Sequence, residues 1–237
     1  MRIVWRSFIH MLRFIRHDMM QIVALVSIFL CGAVFKFGVP ALETYLMGYF
    51  SKAYILKPYY GLFDILFSII SPTMLCYIAS MVILEEKDDH VSVYLAATPL
   101  GKNGYILSRL VIPAVISFVL TLILLPFFSL SEVSFSTVIM LSLTGAAQGL
   151  IITLIVVVFS ANKLEGLAVT KLSVIMMLAI FVPYFIRTNA QYLLCVLPTY
   201  WIGKAVHESS YMYFAFALVI SALWIAVLEH KYELKSN

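Results

Sequence analysis

Six apolar runs of eighteen or more residues, separated by short polar breaks, leave this chain few ways to fold. A helix needs about 20 mostly apolar residues to cross a hydrocarbon core about 30 Å thick. Inside that core every backbone N–H and C=O must be bonded within the protein, which favours helices. The runs 19–42, 60–84, 104–128, 136–160, 163–186 and 211–228 all meet the length. The chain therefore reads as an all-α membrane protein, one transmembrane domain over residues 1–237. Only 12% of the residues are charged, about half the ~25% of a soluble domain.

The same sequence argues against covalent chemistry. It contains no P-loop, no Gly-rich dinucleotide turn and no HExxH helix, so an energy source has to be a partner or an ion gradient. Cys31, Cys76 and Cys195 are far apart, make no CxxC pair and read as small buried hydrophobes. The five histidines are scattered, without a second ligand at helical spacing. No metal site and no cofactor is expected within this chain, and nothing points to nucleic acid.

Residues 1–18 predict an amphipathic helix lying in the membrane interface. Arg6, His10, Arg13 and His17 fall on one stripe, and Trp5, Phe8, Ile9, Leu12 and Ile15 on the other. Lys36 lies about 27 Å along the first span and snorkels at the far interface, with Glu43 on the same face as a partner or as part of an outer vestibule. Pro40 predicts a kink or an end to this helix, followed by an aromatic-rich loop. Asp64, one turn from the outer end of the second span, reads as solvated or paired. Gly145 and Gly149 form a GxxxG that lets two helices approach closely, in this chain or between chains. Gln148 between them either bonds across that contact or faces a pathway. Asn162 and Glu165 have the spacing of a capping box opening the fifth span, and Pro183 predicts a bend near its outer end.

The connection 187–210 is longer than two neighbouring spans require. Tyr192 to Val196 is apolar but too short to cross, Pro198 breaks it, and Tyr200-Trp201 adds interface-seeking aromatics. This predicts a re-entrant outer hairpin whose Pro198, Tyr200 and Trp201 gate the pathway.

Lys and Arg set the orientation. With the N-terminus inside, eleven of the sixteen fall on the cytoplasmic side; Lys52, Lys57, Arg187 and Lys204 fall outside, and Lys36 lies in a span. Both termini are expected in the cytoplasm and the chain in the plasma membrane. The loop 85–103 is then cytoplasmic. It opens on Glu85, Glu86, Asp88 and Asp89, continues through Val91, Val93, Tyr94 and Leu95, and turns at Thr98-Pro99-Leu100-Gly101. Its bland reading is a solvated loop, but an apolar stretch and a rigid turn directly after the acids suit docking against another protein.

Three segments, taken in order, resemble the type-2 ABC transporter permeases, nearest to six-span subunits of drug or fluoroquinolone exporters. They are Glu85-Glu86…Leu95…Thr98-Pro99-Leu100…Tyr105, then Lys163-Leu164-Glu165-Gly166…Lys171, then Leu197-Pro198-Thr199-Tyr200-Trp201. One departure is His90, where the family often has Gly. The resemblance implies two such permease subunits, identical or paralogous, above two separate ABC ATPase subunits that carry ATP and Mg. The helix after Glu86 is then the coupling helix, and Glu165, Gly166 and Lys171 mark entry into the fifth span. The implied activity is export of a hydrophobic or amphiphilic drug, peptide or lipid. The alternative is a secondary transporter or channel run by an ion gradient, although the ionisable groups lie towards span ends rather than the midplane.

Overall fold

The computed structural model describes residues 2–16, 18–51, 53–91, 94–95, 98–186 and 188–236. Among these there are helices and turns but no strand. Six helices are long and apolar enough to cross a membrane: Met19–Phe50, Lys57–Asp88, Gly104–Phe128, Phe135–Phe159, Lys163–Phe185 and Tyr211–Tyr232, here spans one to six. Spans two and four form the centre. In their most apolar windows 72% and 78% of residues are buried, against 22% in spans one and six, which lie at the outside of the bundle.

The contact between spans two and four depends on glycine. Pro72 has no N–H to bond the Ser68 carbonyl four residues back. A Cβ on Gly145 would sit 2.2 Å from that carbonyl oxygen, and one on Gly149 would sit 3.1 Å from the Pro72 oxygen. The bare glycine face therefore packs directly on the backbone that proline leaves unpaired. The Thr153 hydroxyl donates across the same contact to the Cys76 carbonyl at 2.9 Å. The GxxxG partner is thus a helix of the same chain. Gln148 is fully buried, and its amide has no hydrogen-bond partner among the described residues.

Three other prolines follow stretches that leave the α-helical register. Val34–Gly38 is π-helical ahead of Pro40, Leu107–Val111 is π-helical ahead of Pro113, and Val174–Phe181 is 3-10 ahead of Pro183. Proline's ring crowds the carbonyl four residues back, and a local change of pitch moves that carbonyl aside. Span one therefore runs on through Pro40 to Phe50. The sequence predicted its end at residue 42, with a loop from Glu43.

Two buried carboxylates tie down the end of the bundle away from the N-terminus. Glu43 accepts from the amides of Ile55 and Leu56 at 2.8 and 2.5 Å. Asp64 accepts from those of Leu130 and Ser131 at 2.7 and 3.0 Å, and from the Ser131 hydroxyl. Each carboxylate thus closes a turn by satisfying otherwise orphaned N–H groups. Lys36 does not reach Glu43. It donates to the Phe127 carbonyl and lies 4.6 Å from the centre of the Phe127 ring.

The 187–210 connection holds a 3-10 segment, Asn189–Leu194, and a helix, Pro198–His207, packed between span six and the 3-10 stretch of span five. Thr199 donates to the Met176 carbonyl at 2.6 Å, and a Cβ on Gly203 would lie 2.5 Å from the Ile180 oxygen. Leu193 is exposed, while Tyr200 is fully buried.

At the near end, the helix Arg2–Ile15 lies across spans two and three. Its buried line is Phe8 and Met11, with Ile15 alongside, against Ala79, Val82 and Ile112. Trp5 and Leu12, expected on the same face as Phe8, remain 56% and 48% exposed. A helix docked on a bundle buries only the arc in contact, so the rest of the apolar stripe is left uncovered. His17 lies outside the described residues.

Candidate functional site

The helix of span two does not stop at Leu84 but continues to Asp88, so Glu85, Glu86 and Asp88 form its last turn. Span three and the N-terminal helix converge on Glu86 in that turn. From span three, Arg109 donates to Glu86 through Nη2 at 2.6 Å and through Nε at 3.1 and 3.0 Å. Its Nη1 reaches the Ser7 carbonyl of the N-terminal helix at 2.9 Å and the Ser7 hydroxyl at 3.2 Å. The Tyr105 hydroxyl donates to Glu86 at 2.9 Å. Arg109 is only 2% exposed, and a carboxylate and a backbone carbonyl meet its donors in that dry setting.

A second cluster joins spans one, two and five. Lys163 Nζ lies 2.6 Å from Glu85 and 2.9 Å from Asp18, and the Lys163 amide donates to Asp88 at 2.9 Å. Asp18 also caps the first turn of span one, accepting from the Met20 amide at 2.9 Å. Partial burial pushes the Asp18 carboxyl pKa up. The hydrogen bonds from Lys163 and the Met20 amide outweigh that, and the net pKa is below the ordinary value. Asn162 caps span five through the Glu165 amide at 2.9 Å, while Glu165 reaches back to the Ala161 amide at 2.7 Å, one residue before the position an ideal capping box uses.

Three of the four acids thus fasten this chain to itself. Asp89 and His90 are exposed, and His90 has φ +58, the left-handed region where glycine is at ease. Beyond it, Val91 and Tyr94 are exposed, Tyr94 by 73%, and Leu95 is half-buried. Ser92, Val93, Ala96 and Ala97 lie outside the described residues. Thr98 closes the segment, its hydroxyl donating to the Leu95 carbonyl at 2.6 Å, before Pro99 and the buried Leu100. A cleft of about 550 Å³ separates this segment from the N-terminal helix, with Arg6 and His10 on one wall, Val91 and Leu95 on the other, and Glu86 and Arg109 among its lining.

The other singled-out residues lie elsewhere. Gly166 seats span five on span two, where an added Cβ would meet Leu84 at 2.3 Å. Lys171 is exposed and borders a separate groove. At the far end, Tyr200 stacks edge-on against Trp201 with ring centres 5.2 Å apart, and Trp201 donates to the Cys195 carbonyl at 2.7 Å. Nothing brings Pro198, Tyr200 and Trp201 near the acidic turn. Among the described residues no three His, Cys, Asp or Glu side chains gather as a metal site.

Sequence reasoning passed over Arg109, Asp18, Ser7 and Lys163 as members of the network. A usable signal was present: an arginine inside an apolar helix needs a carboxylate, and the acids Glu85, Glu86, Asp88 and Asp89 lie only 20 to 24 positions before it.

Fold and site together define a multi-pass membrane protein whose near end is locked by two ion-pair clusters beside the exposed Val91 and Tyr94. The family model described as "fluoroquinolones export permease protein Rv2686c-like" matches residues 11–229, and the chain belongs to that family of membrane export permeases. No individual curated protein and no solved structure matches it.

Proposed function

We propose that this chain is the membrane subunit of an ATP-binding cassette exporter. Two permease chains form the pathway, and separate ATPase subunits bind at the near end, carrying ATP and Mg. Both termini face the cytoplasm, and the cargo is hydrophobic or amphiphilic. The observation that carries this reading is the exposure of Val91 and Tyr94 just beyond a turn whose Glu85, Glu86 and Asp88 are all bonded. Glu86, Arg109, Tyr105 and Ser7 connect its base to span two, span three and the N-terminal helix. Movement applied to Tyr94 is thereby passed to three helices rather than absorbed by one loop. The eleven-to-four bias of Lys and Arg supports the orientation.

An ion-gradient transporter needs a buried titratable group free to change partners. Among the described residues the buried charged side chains are Glu43, Asp64, Arg109 and Lys204, and each is bonded at one end of the bundle or the other. Purification of the chain from its native membrane, followed by assay of ATP hydrolysis and vesicle transport, tests the proposal. ATP-dependent accumulation with a retained ATPase supports it. Transport that follows an imposed proton or sodium gradient without ATP refutes it.

A further inference from the structure

A groove of about 500 Å³ runs between spans two and five, with Met20 of span one at its near end and Ile152 of span four in its floor. Its wall on span five extends from Leu167 to Phe181. Fourteen residues are about 21 Å at the α-helical rise, and more where the turn is 3-10. Half a hydrocarbon core is about 15 Å, so the groove is long enough to take an acyl chain from one leaflet. The lining is apolar apart from Thr73, Tyr77, Thr170 and Lys171. Thr73 is buried, and its hydroxyl has no partner among the described residues.

Lys171 supplies the charge. It sits eight residues past Lys163, about 12 Å along the helix. Lys163 is paired with Asp18 and Glu85, whereas Lys171 is exposed and forms no hydrogen bond or ion pair among the described residues. Its flexible stem lets the ammonium rise to headgroup depth. Around it Leu172, Ile175 and Leu178 are exposed, so the lip of the groove is apolar surface at membrane depth. At that depth the abundant anion is a lipid phosphate, and a basic pocket between spans is the usual form of such a site.

We propose that this groove binds an anionic phospholipid of the near leaflet, with one acyl chain between spans two and five and the phosphate on Lys171. The lipid covers an apolar channel that is otherwise open beside the central helix pair, and it extends the contact between spans two and five beyond the point where Gly166 seats them together.

Native mass spectrometry of the detergent-purified full chain, titrated with phosphatidylglycerol or phosphatidylcholine, tests this. The wild type should hold phosphatidylglycerol more tightly than phosphatidylcholine. Lys171→Ala should weaken phosphatidylglycerol about fivefold, the effect of one lysine beside an anionic surface, and Lys171→Arg should restore it. Ile70→Trp, which fills the groove, should displace the lipid, and unchanged melting temperatures would show that the variants are folded. Equal retention by wild type and Lys171→Ala overturns the proposal. So does a disulfide between two copies carrying Leu178→Cys in a background without the native cysteines, because a second chain would then occupy the groove. The readout is binding, so failure of ATP-driven transport would leave this result intact.

Discussion

Replacing Arg109 with leucine tests the near-end network most directly. The guanidinium is 2% exposed and Glu86 12% exposed, and the pair is bridged by contacts of 2.6 to 3.1 Å. Removing one member of a buried pair costs about 3–5 kcal/mol, because the charge left behind loses both water and partner. Glu86 would keep the Tyr105 hydroxyl and a little solvent, which places Arg109→Leu near the lower end, about 3 kcal/mol. Glu86→Gln strands the more deeply buried charge and should cost at least as much. For a chain of this length 1 kcal/mol moves the melting temperature by about 2–4 °C, so Arg109→Leu should melt roughly 6–12 °C below wild type. Thermal unfolding in detergent, followed by labelling of Cys76, which is buried in span two, provides the assay. The double variant should cost less than the two singles added, by about 1 kcal/mol or more. Singles within about 1 kcal/mol of wild type, or strict additivity, would refute the argument.

Other expectations follow from the same geometry. Gly145→Ala places a methyl 2.2 Å from the Ser68 carbonyl and should destabilise by about 1–3 kcal/mol, read in the same melt. Tyr94→Ala removes a side chain that is 73% exposed, so stability should stay within about 0.5 kcal/mol; ATP hydrolysis should nevertheless separate from transport, and unchanged coupling would count against a docking role. Asp18 has its carboxyl pKa lowered by Lys163 and the Met20 amide despite partial burial, so its contribution is complete above the free-carboxylate value of 3.8 and disappears as pH falls through the lower folded value. The stability gap between wild type and Asp18→Asn should therefore be constant near neutral pH and close below about pH 3.8; a gap that widens in acid would reverse the assigned sign.

Much of the architecture was legible in the sequence because a bilayer imposes a length on each span and forbids unbonded backbone. Six spans and the helical class follow from residue order and hydropathy alone; the GxxxG spacing marked a close helix contact, but only the structure gave its partner within the chain. Helix ends were less legible. Pro40 looks like a stop, but a π-helical turn ahead of it lets span one continue to Phe50, and no local propensity encodes that turn.

The acidic stretch shows where sequence reading runs out. Composition identifies Glu85, Glu86, Asp88 and Asp89 as polar and close together, and polar residues between two spans read as a loop facing water. Tertiary structure decided that Glu86 meets Arg109, that Glu85 shares Lys163 with Asp18, and that Asp88 receives the Lys163 amide. Those partners are 23 to 78 positions away in the chain. A charge is visible in the sequence at its own position, but whether it is solvated or paired depends on which helix ends the bundle brings within about 3 Å of it, where a charge-assisted hydrogen bond can form.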